Sequence, residues 1–258
     1  MRGDSPAASA SSADAASSAD ARTLRPRVDA STSHAALLGS APEFHPTAKE
    51  FANFSEYIAS ISEQAGEFGI CKIIPPAGWQ GPPSTPPPGS FMLGGSIQQH
   101  VYGSHGMYSL VNEEKTRLSL ERFERQALAF AAREQIGEDP SLEDLESKFW
   151  QEASAPRPPL YGADISGTLF PSSVKHWNLN ALPDLLRTGE TRLPVSMAGI
   201  NTPMLYFGGY RTMFSLHVED MDLFSINYMH WGAPKQWYGV PAKSATLVEM
   251  VRMHRAGQ

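Results

Sequence analysis

From Arg192 to Val240 the chain is cut into short segments by turn-forming residues, and this punctuation limits the possible folds more than any other feature. The segments 192–197, 204–208, 212–219, 223–230 and 235–240 are separated by Asn201-Thr-Pro203, Gly208-Gly209, Asp220-Met-Asp222 and Gly232-Ala-Pro234. Apolar runs this short, bounded by turn residues, read as strands. Closely spaced strands with tight connections point to a sandwich or a barrel. The sequence shows no internal repeat.

The upstream half has a different texture. Residues 1–40 hold eleven alanines and nine serines and no aromatic residue. Such a stretch cannot bury enough apolar surface to offset its ordering entropy, so a disordered tail is expected over 1–42. Thr47 and Glu50 form a capping-box pattern ahead of Phe51, Phe54, Ile58 and Ile61, which recur at helical spacing, and Gly66 and Gly69 close the helix. Ile70–Ile74 reads as a short strand stopped by Pro75-Pro76, and 75–90 as an extended Pro/Gly-rich loop. Helices are expected at 119–136 and from Ser141 onward, inside a mixed helical and loop linker spanning 86–170.

Composition excludes several classes. The 258 residues, with 41% hydrophobic content and five tryptophans, suffice for a real core. A net charge of −6 and a pI near 5.7 argue against a protein that coats nucleic acid, and nothing indicates direct sequence-specific DNA binding. Cys71 is the single cysteine, which excludes a disulfide framework and suits a reducing compartment. No apolar run reaches the roughly 18 residues that span a bilayer, so no membrane partner is expected.

The chemistry concentrates between Phe214 and Trp237. On a strand, residues two apart share a face, so His217 and Glu219 can reach one metal. Spacing alone proves little: eight histidines and 27 acidic residues in 258 positions produce about one such pair by chance. Context adds more. Asn227 follows on the next candidate strand, and Lys235 sits among Tyr228, Trp231, Trp237 and Tyr238. A desolvated lysine needs an anionic partner, and a dicarboxylate would be one. The plain alternative is a surface lysine with its stem laid on aromatic rings.

Several motifs together resemble a known family. Asn201-Thr-Pro-Met-Leu-Tyr206-Phe-Gly, His217-Val-Glu219-Asp-Met-Asp-Leu, Ser225-Ile-Asn-Tyr228 and Pro234-Lys-Gln-Trp-Tyr238 closely resemble the Jumonji-C domain of histone lysine demethylases. Phe44-His-Pro-Thr47 through Phe51-Ala-Asn-Phe54 to Ile74-Pro-Pro76 is similar to the Jumonji-N motif, giving expected segments of 43–85 and, for an incomplete Jumonji-C domain, 171–258. Tyr161-Gly-Ala-Asp-Ile-Ser-Gly167 and Trp177-Asn178 match the segment that joins them. The Tyr161 block, Asp220-Met-Asp222 and the length of the joining segment make the resemblance closest to the subfamily acting on lysines nine and thirty-six of histone H3. Trp231-Gly and Tyr238-Gly-Val-Pro241 look more like the lysine-four group.

The resemblance implies an α+β fold with a mainly β core: part of a cupin-like jelly roll, a double-stranded β-helix with flanking helices. It implies a nuclear, chromatin-acting enzyme that uses Fe(II), 2-oxoglutarate and O2 to remove methyl groups from the histone H3 tail as formaldehyde. His217 and Glu219 would bind the iron. Tyr161 and Lys235 would hold the distal carboxylate of 2-oxoglutarate, Asn227 would sit beside its metal-bound end, and Phe214 and Trp237 would wall its pocket. Gly199, Tyr206 and Glu219 would line the methylammonium cage, with Asp164 as a further substrate contact. Met204 stands where the first subfamily usually carries tyrosine.

A facial iron site needs a second histidine, and His230 and His254 both fit that role poorly. The expectation is that residues 1–258 alone bind iron weakly, show little or no demethylase activity and expose aggregation-prone strand edges. The rival expectations are a Jumonji-type protein hydroxylase and a truncated, non-catalytic chromatin-binding protein.

Overall fold

The computed structural model describes residues 39–104, 107–137, 139–183, 186 and 196–256, with side chains as far as residue 252. Nearly all of the expected disordered tail, and 192–195 of the first candidate strand, lie outside them. The fold is mixed α/β, and no described helix is long and apolar enough to cross a membrane.

The chain enters through β1 (Glu43–Phe44), which pairs in parallel with β2 (Lys72–Ile73). Between them the expected helix is split in two, α1 (Ala48–Phe51) and α2 (Phe54–Gly66). The Thr47–Glu50 capping box forms as the sequence suggests. The break arises because Asn53 competes for the backbone: it leaves the helical region and its side chain accepts the Glu56 N–H at 3.3 Å. Phe51, Tyr57 and Ile61 are buried against Trp177, whose ring stacks on Phe51 with centroids 4.5 Å apart. The Trp177 indole also donates to the Phe51 carbonyl at 2.8 Å.

The central sheet has the order β5-β4-β7-β8. Strands β4 (Ser96–Ser104) and β5 (Met107–Lys115) form a nine-residue antiparallel ladder that the sequence reading missed. Strand β7 (Leu160–Ser166) pairs with β4, and β8 (Met204–Phe207) pairs with β7 across an irregularity between Gly162 and Ile165. A smaller pair joins β3 (Met92–Leu93) to β6 (Leu118–Ser119). Ser119 caps α3 (Leu120–Arg133), and Ser141 caps α4 (Leu142–Glu152). Leu93, Leu118, Leu120, Phe123, Ile165, Leu205 and Phe207 form the main core between α3 and the sheet. Helix α4 forms from Ser141 as expected, but none of its residues, Leu142, Leu145 and Phe149 included, is fully buried.

The strand reading needs correction downstream. Among the candidates that lie wholly within the described residues, only 204–208 yields a strand, over Met204–Phe207; 212–219, 223–230 and 235–240 have no ladder partner among the described residues. A strand is defined by its neighbour's hydrogen bonds, so a β-type sequence without a neighbour remains an extended segment. Glu219 and Leu223 do have extended backbones, with ψ of 156° and 158°. The described strands make one open sheet and two small pairs, and they do not show a jelly roll. The chain ends its described course in α5 (Ala245–Ala256).

Candidate functional site

A cleft of about 350 Å³ opens between the sheet and the extended segment after β8. Its walls include Gln99 on β4, Asn112 on β5, Tyr161 and Asp164 on β7, Tyr206 on β8, and Phe214 and His217.

Strand β7 supplies two of these groups by an irregular backbone. Asp164 has φ of +54°, at the point where the β7–β8 register shifts. A bulge re-aims side chains, and here the Asp164 carboxylate accepts the Tyr206 hydroxyl at 2.9 Å. Tyr161 is 2% exposed, and burial pushes its phenol well above the usual tyrosine range, so the hydroxyl stays protonated and able to donate. The Tyr206 phenol is raised as well, first by burial and then by its bond to Asp164.

The rings of Tyr161, Tyr206 and Phe214 pack edge to face or tilted, with centroids 5.3–6.3 Å apart. The Lys235 ammonium lies over Tyr206 at 5.7 Å, Phe214 at 5.3 Å and Trp237 at 5.4 Å. Although the residue as a whole is exposed, burial around its ammonium lowers its pKa below the ordinary lysine value. No carboxylate pairs with it among the described residues. Ring faces attract a cation but do not neutralise it, so this charge is suited to an anionic ligand.

His217 and Glu219 meet at the other end. His217 Nε2 lies 3.8 Å from Glu219 Oε1, with the two side chains 50% and 42% exposed. The His217 Nδ1–H donates to the Ser215 carbonyl at 2.7 Å, which leaves the Nε2 lone pair directed outward. Such a second bond is how metal-ligating histidines are oriented. Imidazole nitrogen and carboxylate oxygen bind first-row metals at about 2.0–2.2 Å. Two such ligands can therefore stand up to about 4 Å apart, and the pair fits one shared ion. Among the described residues, no group of three histidine, cysteine or acidic side chains converges.

The structure brings together His217, Tyr161, Asp164, Tyr206 and Phe214 at the cleft, with Glu219, Lys235 and Trp237 contacting them. It does so without the shared strand face expected for His217 and Glu219, because 212–219 has no partner strand among the described residues. Asn227 is exposed on an unpaired segment and does not line the cleft. Gly199 also stays outside the lining, in a turn with φ of +77° beside the Met204 side chain. His230 is enclosed by the rings of Phe170, Tyr228 and Trp231, and burial lowers its pKa. His254 falls on α5.

Gln99, Leu110 and Asn112 were not anticipated. A signal for them existed: Val101-Tyr102 and Tyr108–Val111 flank Gly103–Gly106, a hairpin pattern.

Residues 42–75 match the jmjN domain, and residues 204–257 match the JmjC domain, described as a hydroxylase. The chain therefore carries one segment similar to each of these two domains. It is 38% identical over 207 residues to "Probable lysine-specific demethylase 4F" of Homo sapiens, covering 80% of this chain and 32% of that protein. It is 36% identical over 209 residues to "Lysine-specific demethylase 4D" of Rattus norvegicus, covering 81% and 40%. With "Lysine-specific demethylase 4B" of Mus musculus it shares 37% identity over 207 residues, covering 80% and 19%. The chain is thus similar to proteins named lysine-specific demethylase 4 over about 80% of its own length, and it spans 19–40% of the length of these relatives.

Proposed function

We propose that the cleft belongs to an Fe(II)- and 2-oxoglutarate-dependent oxygenase that demethylates lysines of the histone H3 tail in nuclear chromatin. The observation that carries this reading is the Lys235 ammonium, set among three rings with no described carboxylate partner, beside an imidazole and a carboxylate able to share a metal. The jmjN and JmjC matches and the names of the relatives support it.

In this reading His217 Nε2 and Glu219 hold the iron, and the Ser215 carbonyl keeps the imidazole in the binding tautomer. The iron, when bound, supplies the activation of O2 that couples oxidation of the keto acid to oxidation of the methyl group. Lys235 neutralises the distal carboxylate of 2-oxoglutarate, and the protonated Tyr161 hydroxyl donates to the same group. Phe214 and Trp237 wall its pocket. Tyr206 donates its hydroxyl hydrogen bond to Asp164, so its oxygen keeps its lone pairs for a methylammonium headgroup, beside Glu219 and Gly199. Asn227, exposed and outside the cleft lining here, would supply an amide to the keto-acid end of the cosubstrate. Each turnover converts a methyl-lysine, O2 and 2-oxoglutarate into the demethylated lysine, formaldehyde, succinate and CO2.

Neither His230 nor His254 is assigned as the third ligand, so residues 1–258 alone are expected to show little turnover and weak iron affinity. Robust formaldehyde release from methylated histone H3 peptide by that polypeptide would refute this. For a preparation that turns over, mass spectrometry of the peptide decides the reaction. A loss of 14 Da per turnover supports demethylation, and a gain of 16 Da identifies a hydroxylase. Peptide binding without mass change identifies a non-catalytic chromatin protein. Lys235→Ala is expected to weaken 2-oxoglutarate binding by at least tenfold, from the loss of a charge-assisted contact worth about 1.5–3 kcal/mol.

A further inference from the structure

We propose that Gln99 is a positioning residue whose side chain fastens the metal- and cosubstrate-binding segment to the sheet, standing in for a neighbouring strand. The proposal rests on the reading of the cleft given above. The Gln99 amide makes two bonds to one residue: its Nε2–H donates to the Met213 carbonyl and its Oε1 accepts the Met213 N–H, both at 2.9 Å. This reciprocal exchange is the pattern of an antiparallel ladder pair, made here between a side-chain amide and a peptide group.

Gln99 is itself held firmly. It is 2% exposed, faces Asn112 across the β4–β5 ladder, and donates its own N–H to the Pro159 carbonyl at 3.1 Å. Met213, by contrast, begins a stretch whose residues 213–218 pair with no strand among the described residues. Phe214 follows directly, with its ring 5.6 Å from Tyr161 and 5.3 Å from the Lys235 ammonium. His217 comes four residues after Met213, with its ring 6.2 Å from Phe214. A clamp at Met213 thus sets both the aromatic surroundings of Lys235 and the start of the metal pair. A buried glutamine that only satisfied its own amide would affect stability and nothing else.

The test uses the full chain labelled with 15N-methionine, as wild type, Gln99→Leu and Gln99→Glu, with Lys235→Ala as the reference for lost cosubstrate binding. Met213 amide exchange is followed by NMR, and 2-oxoglutarate affinity is measured in the presence of redox-inert Mn(II). Gln99→Leu is expected to speed Met213 exchange and weaken 2-oxoglutarate binding, each by about tenfold, while the β4–β5 amides exchange as before. Gln99→Glu retains the acceptor but sets a charged oxygen against the Met213 carbonyl. As the pH falls and the introduced carboxyl takes up a proton, its donor–acceptor pattern matches the amide. Its affinity, relative to wild type at the same pH, then recovers.

Unchanged Met213 exchange in Gln99→Leu overturns the proposal. So does loss of protection spread evenly over β4 and β5, or cosubstrate affinity that survives release of the Met213 amide. If wild type binds no 2-oxoglutarate even with Mn(II) in large excess, which offsets the weak metal affinity expected above, the reading of the cleft fails, and the exchange data still decide whether the clamp exists.

Discussion

At the scale of single residues, the group most tightly held by charge is Glu134. Its side chain is fully buried, and it accepts from Arg157 Nε at 2.6 Å and Nη2 at 3.0 Å and from Arg211 Nη1 at 3.4 Å. Arg211 sits at φ of +68°, two residues before Met213, so this cluster ties the end of α3 to the chain entering the site. The Arg157 bond is the largest cause holding the Glu134 carboxyl below its ordinary range. Folding therefore favours the ionised form. Its stabilisation is complete above the ordinary carboxylate range and is lost as pH falls through the lowered folded value. Breaking a buried pair by neutralising one partner leaves the other charge uncompensated. Glu134→Gln is accordingly expected to destabilise by about 3 kcal/mol in urea unfolding at pH 7. The gap from wild type should narrow below about pH 4; a gap that stayed constant on acidification would remove the ionic explanation.

At the scale of elements, sequence patterns were legible where a local rule decides the outcome. The Thr47–Glu50 box and the helix start at Ser141 both rest on bonds within four residues of chain, and both form. Thr47→Ala removes the acceptor for the Glu50 N–H and is expected to cost about 1 kcal/mol, read by thermal unfolding. The loss should disappear in a Thr47→Ser variant, which keeps the hydroxyl. Where distant partners decide, the patterns misled. Residues 212–219 have the composition of a strand but no described neighbour to complete one, whereas β4 pairs with β7 through Ile97 and Tyr161, 64 positions apart. Asn53, polar and within helical spacing, broke a helix that the apolar stripe alone suggested was continuous. The site residues were legible for another reason: His217, Glu219 and Lys235 lie within linear motifs, while Gln99 reaches Met213 from 114 positions away.

At the scale of the molecule, the jmjN-matching segment braces the JmjC-matching one through a contact that only glycine permits. Gly69 has φ of +74°, and a Cβ there would lie 2.4 Å from the Val240 carbonyl oxygen. Reciprocally, a Cβ on Gly239 would lie 2.3 Å from Ile70 Cγ2. The two backbones are thus in close approach, with Lys243 paired to Glu67 and Trp79 set edge-on to Tyr228 nearby. Lys235 lies five residues before Val240, so this brace is linked to the aromatic nest by a short length of chain. Gly69→Ala adds left-handed strain of about 1–2 kcal/mol and forces the two backbones apart. It is expected to lower the unfolding midpoint and also to weaken 2-oxoglutarate binding, since Lys235 and Trp237 move with Val240. Gly66→Ala, at an α2 position where a Cβ meets nothing within 4 Å, is the matched control and should leave binding unchanged. If Gly69→Ala loses stability but binds the cosubstrate as wild type does, the brace supports the fold without setting the site.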